Sequence, residues 1–379
     1  MFFWLLSGIP FLYVLLRVIA PFRPFKWHRA AAAAALFLIA FKFQILRRFA
    51  GPKFFAPDLP EWFMIVTTWI FVAFLFFAAL LLATDLVKLA AWLLLKVLRL
   101  PRGKLLARPG RALTTVLTTA AFLLATWGMC SAKAAPELRR VEIARPDLPP
   151  EADNLTVVLL ADLHVDKIST RAEIEEVVRR VNALEPDLIV LAGDFVDGDV
   201  EHLGSKLEPL RDLRAKYGVF GIPGNHEYYS GYGEWMTFLR SLGIDMLENE
   251  HRVLADGKIA IAGVTDPAAR FRGMEEPNVK KALAGAPEGC FKILAAHQLK
   301  NTREAAEAGA DLQLSGHTHG GMIVGLDRFL ALLNYGFVSG EYDVDGMKLY
   351  VSRGTSLWKG FPVRLGVPSE ITVLTLRRK

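Results

Sequence analysis

The first 130 residues consist mainly of long apolar runs that short basic segments interrupt. These runs cover residues 2–16, 30–46, 62–83 and 112–130. A helix needs about 20 residues to cross the hydrocarbon core of a bilayer, so the third and fourth runs are long enough to span it. For the two shorter runs, a buried core helix is the alternative, and Lys42 in the second run either snorkels or faces a partner helix. The pattern predicts a helical membrane domain of about four spans.

Basic residues in this half are densest between the third and fourth apolar runs. Residues 86–100 are predicted to form an amphipathic helix, and Lys or Arg recurs as far as Arg111. Loops rich in Lys and Arg remain on the cytoplasmic side of a membrane. The fourth span then carries the residues after 131 outward. We therefore expect a multi-pass cell (inner) membrane protein whose second half is extracytoplasmic.

From residue 155 onward, short apolar runs typical of buried strands alternate with amphipathic helical segments. Strands are predicted at 155–161, 188–192, 219–222, 293–296, 312–314, 340–344, 347–352 and 370–376, with a hairpin at 253–264. Helices are predicted at 171–184, 200–215, 232–242 and 302–308. Alternating strands and helices, followed by a strand-rich end, predict an α/β sandwich of two sheets flanked by helices.

The change of pattern divides the chain into domains. A length of 379 residues suggests two or three folded units. Residues 136–153 are rich in proline and carry charges of both signs, so they are predicted to form a linker. We therefore expect a transmembrane helical domain over 1–135, the linker over 136–153, and a second folded domain over 154–379.

Composition and charge narrow the set of partners. The net charge of +6 could indicate a nucleic-acid-binding protein. Much of the excess Lys and Arg flanks apolar runs, however, where anionic lipid headgroups are the natural partner. We expect the lipid bilayer as a partner and no nucleic acid. The two cysteines, Cys130 and Cys290, are too few for a disulfide framework.

Polar side chains follow five of the predicted strands. They occur as Asp162-Leu-His164, Gly193-Asp194, Gly224-Asn-His-Glu227, the single His297, and Gly316-His-Thr-His319. Carboxylate oxygens and imidazoles in this number are the ligands of a two-metal hydrolase site. The predicted metal ligands are Asp162, His164, Asp194, Asn225, His297, His317 and His319.

Spacing and chemistry give several of these residues a specific role. Alternation along an extended chain puts Asp162 and His164 on one face, where they can bind one ion. A single carboxylate such as Asp194 can bridge two ions, and the neutral amide of Asn225 limits the negative charge around a phosphate. His226 follows a ligand and is predicted to act on the substrate as a general acid or phosphate clamp.

Each motif taken alone has a simpler explanation. Asp-x-His is a common tripeptide, Gly-Asp is an ordinary turn pair, and a single histidine after an apolar strand is usually a core residue with satisfied hydrogen bonds. Asp166, Asp197 and Glu227 are either turn residues or groups that orient histidine ligands. The joint occurrence of five such motifs at five strand ends favours the metal site.

These five motifs resemble those of the calcineurin-like metallophosphoesterases, over residues from about 155 to the C-terminus. The resemblance implies a four-layer αββα fold and a binuclear site for Mn²⁺, Fe or Zn²⁺, with Mn²⁺ preferred. Asp162, His164 and His319 would hold one metal, and Asn225, His297 and His317 the other. Asp194 would bridge the two metals, and His226 would lie near the leaving group.

Residues 346–354 and 316–321 are similar to those of a bacterial membrane-anchored subgroup of the family. This subgroup includes phosphodiesterases and a UDP-2,3-diacylglucosamine hydrolase of lipid A synthesis. Two positions depart from the family pattern: Gln298-Leu299 stands where relatives often have a nearby proline, and Met322 where the subgroup often has Gln. Both lie near the expected substrate rim, so they bear on the substrate rather than on the metals.

We expect a membrane-anchored phosphoesterase that cleaves a phosphodiester or pyrophosphate through a hydroxide shared by both metals. The apolar stretch 325–336 follows the last metal motif, and packing on the sheet competes with a role in lipid contact for it. Together with the spans it favours a lipid-linked substrate. The alternative is the UDP-2,3-diacylglucosamine hydrolase with a cytoplasmic catalytic domain, and a non-catalytic scaffold is the non-enzyme rival. The substrate-binding residues and the oligomeric state remain open.

Overall fold

A computed structural model describes residues 2–21, 26–50 and 59–379. The chain forms two compact units, over Met1–Cys130 and Ser131–Lys379. The helices of the first part of the chain are α1 (Phe2–Val14), α2 (Lys26–Ala40), α3 (Lys42–Ala50), α4 (Glu61–Val97) and α5 (Arg111–Ala132). A π-helical turn over Leu15–Ile19 continues α1.

Among the described residues, α4 and α5 are long and apolar enough to cross a membrane. Helices α2 and α3 are bent by 69° at their junction, so they raise the count to three if they are taken as one broken span. Helix α1 with its π-helical turn is shorter. The structure therefore has two candidate spans, or up to three, and not clearly the four that the sequence predicted.

Helix α4 contains the third apolar run and most of the segment 86–100, which was predicted as an amphipathic helix. No glycine or proline lies between residues 84 and 97, so nothing in the sequence breaks the helix there. Asp85 near its middle is paired with Arg17, whose Nε lies 2.6 Å from the Asp85 carboxylate. Lys42 is buried and donates to the Thr68 hydroxyl of α4 at 2.6 Å, so it faces a partner helix rather than snorkelling.

The second unit contains two six-stranded sheets. Its strands are β1 (Glu137–Arg145), β2 (Thr156–Leu160), β3 (Leu188–Ala192), β4 (Val219–Ile222), β5 (Asp245–Met246), β6 (Glu250–Leu254), β7 (Ile259–Gly263), β8 (Phe291–Ala295), β9 (Leu312–Ser315), β10 (Gly340–Val344), β11 (Met347–Val351) and β12 (Glu370–Arg378). The first sheet has the order β1-β12-β2-β3-β4-β5, and the second β10-β11-β9-β8-β7-β6. Strands β2, β3 and β4 are parallel neighbours, as are β7, β8 and β9.

Seven α-helices follow α5 along the chain. They are α6 (Arg171–Asn182), α7 (Val200–Leu207), α8 (Asn225–Ser230), α9 (Tyr232–Ser241), α10 (Val279–Leu283), α11 (Thr302–Glu307) and α12 (Asp327–Leu333). One buried cluster joins β2 and β3 to α6 and α9, a second fills the space between the sheets, and a third joins the second sheet to α10 and α11. The result is a mixed α/β fold in which strand alternation divides Val157 and Val158 between two cores.

Two predicted segments differ from the structure. Residues 137–145 of the predicted linker form β1, which pairs with β12 in parallel over nine residues, so most of this segment belongs to the folded unit. The helix predicted over 200–215 ends at Leu207, and a 3₁₀ turn with Pro209 in its first positions replaces the remainder. Proline has no backbone N–H to donate, which accounts for the change of helix type.

Candidate metal centre

The predicted site residues occupy the loops that follow five strands. Asp162 and His164 follow β2, and Asp194 follows β3. Asn225 and His226 begin α8 after β4, His297 follows β8, and His317 and His319 follow β9. The carboxyl ends of parallel neighbours open at one edge of a sheet, which is where α/β proteins place ligands. The structure places all eight residues at these edges of the two sheets, and seven of the side chains, all but that of Asn225, fall into close groups.

Five of these residues have backbone conformations that the sequence pattern did not predict. Asp162, His164, Asp194, His317 and His319 have φ values of 56°, 44°, 55°, 72° and 50°. The argument that Asp162 and His164 share a face by strand alternation is therefore wrong, since both lie beyond the end of β2 in the left-handed region. Non-glycine residues in this region carry strain that the surrounding fold must hold, and such strain is concentrated at functional sites.

The Asp194 carboxylate lies at the centre of the cluster. Its Oδ2 is 3.0 Å from Nε2 of His297, 3.6 Å from Nε2 of His164 and 3.9 Å from Nε2 of His226. Its Oδ1 accepts the backbone N–H of His226 at 2.9 Å. One carboxylate oxygen therefore faces three imidazoles from three different loops, as a group shared by two ions would.

The Asp162 carboxylate forms a second focus. Its Oδ1 lies 3.8 Å from Nε2 of His164 and 3.7 Å from Nε2 of His319. The backbone N–H of His317 donates to both carboxylate oxygens at 3.1 Å. Three overlapping groups place their ligand atoms within 4.8 Å of one another: Asp162 with His164 and His319, His164 with Asp194 and His226, and Asp194 with His297 and His317.

Hydrogen bonds on the far side of three imidazoles determine which nitrogen faces the cluster. Nδ1 of His164 lies 3.1 Å from the Asp197 carboxylate, and Nδ1 of His226 is bonded to the same group. Nδ1 of His297 lies 2.7 Å from the carbonyl oxygen of Ala192. Because carboxylates and carbonyls only accept, these Nδ1 atoms carry protons and Nε2 is directed towards the cluster.

Several buried atoms of the cluster have no hydrogen-bond partner, although buried polar groups almost always have one. These atoms are Nε2 of His164, Nε2 of His297 and Oδ1 of Asn225. All three belong to predicted metal ligands, and their residues are buried. Unpartnered nitrogen and oxygen lone pairs in a buried cluster that also holds the Asp162 and Asp194 carboxylates suit a cation, so the residues present fit a pair of divalent metals.

The pKa values of the imidazoles follow from burial and from the nearby carboxylates. Burial lowers the pKa of His317 to about 4 and that of His319 to about 3, which keeps both rings neutral and able to bind a metal. For His297, burial acts in the same direction, but the Asp194 carboxylate outweighs it and raises the pKa to about 10. Protons and metals thus compete for the same lone pairs in this site.

Comparison with known proteins identifies the family. The description "Calcineurin-like phosphoesterase" matches residues 155–321. A metallophosphoesterase of Bacillus subtilis is 31% identical over 241 residues, which is 61% of this chain and 82% of that protein. The chain belongs to the calcineurin-like metallophosphoesterase family. Members of this family typically bind two divalent metals, and the candidate ligand groups are present here.

Two further proteins are similar to this chain. A bovine "Transmembrane protein with metallophosphoesterase domain" is 38% identical over 291 residues, covering 72% of this chain. The match covers 63% of the bovine protein, which is less than two thirds of its length. Among solved structures, a sulfate thiohydrolase of Thermus thermophilus in complex with glycerol has a TM-score of 0.37 and 15% identity, over 61% of this chain and 58% of that one.

Glycines allow the loops of this metallophosphoesterase to approach the carboxylates. A Cβ on Gly224 would collide with Oδ1 of Asp194 and would lie 2.5 Å from its backbone nitrogen. A Cβ on Gly316 would lie 2.5 Å from Oδ2 of Asp162. The glycines of the Gly-Asn-His-Glu and Gly-His-Thr-His motifs are therefore required by the close packing of backbone against the two central carboxylates.

Glu227 supports the site from beneath. It is fully buried and accepts backbone N–H groups from Asp194 at 3.1 Å, Phe195 at 2.8 Å and Gly224 at 2.7 Å. Burial, with the nearby Asp194 carboxylate, raises the pKa of Glu227 to about 7. The side chain thus connects the loop after β3 to the loop after β4 and does not reach the metal cluster's centre.

Sequence reasoning missed the aromatic residues beside His226. The ring of Tyr229 lies 5.5 Å from the His226 ring, and that of Trp358 lies 6.3 Å from it. Lys359 next to Trp358 donates to the Asp166 carboxylate at 3.1 Å. Tyr229 follows the fourth motif and could have been found from it, but nothing in the sequence around Trp358 indicates a site.

A second missed residue is the buried Arg364. It donates to the backbone carbonyls of His319 at 3.3 Å, Arg353 at 2.7 Å and Ser356 at 2.8 Å, and to Val367 at 3.1 Å. Burial lowers the pKa of Arg364 to about 10, so it stays charged at neutral pH. It ties the turn that carries His319 to the loop that carries Trp358.

Proposed function

We propose that this protein is a membrane-anchored, binuclear-metal phosphoesterase that hydrolyses a phosphodiester or a pyrophosphate. The observation that carries the proposal is that six of the seven predicted ligands fall into groups whose ligand atoms lie within 4.8 Å of one another, with several buried lone pairs left unpartnered. A set of carboxylate, amide and imidazole ligands suits a pair of hard divalent cations. A non-catalytic scaffold would have no physical reason to keep this full ligand set.

The ligands divide between two positions. Asp162, His164 and His319 are proposed to hold one metal, and Asn225, His297 and His317 the other, with Asp194 between them. Asp194 Oδ2 supports this division because His164 and His297 approach it from loops of the two different sheets. Mn²⁺ is the proposed metal. Two divalent cations bound there would lower the pKa of water and offset the charge of the phosphoryl oxygens.

His226 is proposed to protonate the leaving oxygen. Its Nδ1 is held by Asp197, and its Nε2 faces the cluster 3.9 Å from Asp194. Burial alone would lower the pKa of His226, but the carboxylates of Asp194 and Asp197 raise it above its ordinary value. These two carboxylates therefore favour the doubly protonated ring, which is the form that can donate a proton from Nε2.

The membrane half supports a lipid-linked substrate. Helices α4 and α5 are the candidate spans, and α1, α2 and α3 would supply the others if the chain crosses about four times. We propose a membrane domain over 1–135 and an extracytoplasmic catalytic domain over 154–379, to which β1 adds an edge strand, in a multi-pass inner-membrane protein. A substrate held in the bilayer would be within reach of an enzyme held there too. No described residue favours the UDP-2,3-diacylglucosamine hydrolase.

The test uses the full chain in detergent or nanodiscs. With Mn²⁺ it should hydrolyse bis-p-nitrophenyl phosphate, and a chelator should abolish this activity. Asp194→Asn should remove most of the activity and lower the metal content, because this carboxylate serves both positions. Asp343→Asn is the matched control, since the Asp343 side chain is 74% exposed in an ion pair on β10. Normal turnover by Asp194→Asn would disprove the shared role, and no hydrolysis with any divalent metal would disprove the function.

A further inference from the structure

An exposed apolar segment follows the last metal motif. We call residues 324–335 the rim segment; it includes α12. Eleven large apolar side chains are exposed between residues 131 and 379, a stretch that the structure describes throughout, and six of them belong to the rim segment. They are Val324, Leu326, Phe329, Leu332, Leu333 and Tyr335, and their exposures range from 45% to 80%. Packing on the sheet, the simpler expectation for this stretch, therefore does not account for it.

The rim segment is fixed to the turn that carries His317 and His319. A Cβ on Gly321, directly after that turn, would lie 3.0 Å from Cα of Asp327 in α12. The backbone N–H of Val324 donates to the carbonyl oxygen of Leu365 at 3.0 Å, and the backbone N–H of Leu365 donates to the carbonyl oxygen of Met322 at 2.9 Å. Any surface that covers the rim segment is thereby held at a fixed position relative to two predicted metal ligands.

The chemistry of the rim segment matches a lipid surface. Its one acidic group, Asp327, accepts the N–H of Gly325 at 3.1 Å, and the neighbouring Arg328 is exposed. Bulky apolar side chains with an adjacent cation are the composition of interfacial segments that enter the headgroup and acyl boundary of anionic membranes. The same chain carries at least two helices that can cross a bilayer, so a lipid surface is present wherever the protein is inserted.

We infer that the rim segment docks onto the bilayer surface and holds the His317 and His319 turn at the level of the lipid phosphates. This inference deepens the proposed function, on which it rests for the substrate: the scissile phosphoester would belong to a lipid whose acyl chains stay in the membrane. The enzyme then needs no deep acyl tunnel, because the substrate is presented at the interface. A second copy of this chain is the competing occupant of the same surface.

The test places an environment-sensitive fluorophore on the full chain in liposomes of phosphatidylcholine and phosphatidylglycerol. Cys130→Ser and Cys290→Ala remove the native thiols, and Leu332→Cys or Phe329→Cys supplies the label on the rim segment. Val253→Cys is the control, because this exposed residue lies on β6 at an edge of the second sheet. We expect a blue-shifted emission at Leu332 and Phe329 that brominated acyl chains quench, and neither effect at Val253.

Three outcomes would overturn the inference. Emission at both rim positions that is as water-like as at Val253 would show that the segment does not enter the membrane. A blue shift without quenching by brominated lipid would show that something other than acyl chains covers it. A shift that disappears below one protein copy per vesicle would assign the surface to a second copy. Hydrolysis of bis-p-nitrophenyl phosphate by the same samples tests the proposed function separately, so the two ideas fail independently.

Discussion

At the scale of single residues, one carboxylate orients two imidazoles. Asp197 is 1% exposed and contacts Nδ1 of both His164, a predicted ligand, and His226, the predicted acid. Burial alone would raise the pKa of Asp197, but the imidazoles of His164 and His226 hold it below its usual range. A charged acceptor therefore holds the Nδ1 proton and the orientation of both rings at once.

We expect Asp197→Asn to reduce both metal affinity and turnover by about 10–100-fold. His164 and His226 contact different oxygens of Asp197, and asparagine keeps only one of them, so its NH₂ group would face one of the two Nδ1–H donors as a second donor. Metal content by mass spectrometry and turnover of bis-p-nitrophenyl phosphate in excess Mn²⁺ check this. Asp343→Asn is again the control. Unchanged metal content and turnover would show that Asp197 does not orient either ring.

The role of His226 can be separated from that of the ligands. His226→Ala should keep both metals and slow the reaction by about 10²–10⁴-fold, the usual contribution of a general acid. The loss should shrink for esters such as those of p-nitrophenol, whose leaving group needs no proton. Because Nε2 of His226 lies in a candidate metal group with His164 and Asp194, metal content is the deciding measurement. A lower metal content in His226→Ala would make His226 a ligand instead.

Gly224 offers a steric test of the same centre. Gly224→Ala should lose metal and activity, since the added methyl group collides with the Asp194 carboxylate and its backbone. Gly233→Ala is the matched control: nothing lies within 4 Å of its Cβ position, and it is inside α9. There alanine should stabilise the helix by up to about 1 kcal/mol. Equal metal content in the two variants would show that the loop after β4 adapts to the methyl group.

At the scale of elements, the sequence predicted the central strands and the loops that carry the chemistry. Buried strands such as β2 and β3 consist of continuous runs of mostly branched apolar residues, because both of their faces pack in a buried core. The conformation of the loops could not be predicted in the same way. The left-handed backbone at Asp162 and Asp194 depends on contacts between loops from different strands, so no local pattern indicates it.

Strand β1 shows why another element was missed. Its sequence Glu-Leu-Arg-Arg-Val-Glu-Ile-Ala-Arg is mostly charged, and of its residues only Ile143 is buried. It lies at the edge of the first sheet and pairs only with β12. Charged residues at sheet edges protect them from pairing with other chains, and they also make the strand look like a linker.

Arg364 should matter for the loops it joins. Arg364→Lys should lower the free energy of unfolding by about 1–3 kcal/mol, because a lysine cannot reach all four carbonyls and leaves buried acceptors unsatisfied. In a unit of this size that corresponds to a fall in Tm of about 2–12 °C. Thermal unfolding of the full chain in detergent measures it, with Arg303→Met on the exposed face of α11 as the control. Equal Tm values for the two variants would refute the bridging role.

At the scale of the whole molecule, the side of the membrane on which the second unit lies does not depend on the number of earlier spans. It depends on the loop between α4 and α5, which contains Arg99, Arg102, Lys104 and Arg108. If this loop is cytoplasmic, one crossing by α5 carries everything after Ala132 to the other side. The reduction from four clear spans to two or three therefore leaves the predicted orientation unchanged.

The orientation also distinguishes the proposed lipid-linked phosphoester from the alternative substrate, UDP-2,3-diacylglucosamine, because a UDP-linked sugar lipid is made in the cytoplasm. We expect alkaline phosphatase fused after Lys379 to be active and green fluorescent protein at the same point to stay dark, since neither folds on the wrong side of the membrane. Fusions after Lys104, inside the basic loop, should give the opposite pair of results and so control for expression. A fluorescent fusion with inactive phosphatase after Lys379 would place the metal centre in the cytoplasm. The basic loop would then not determine topology, and a cytoplasmic lipid precursor would become the leading substrate.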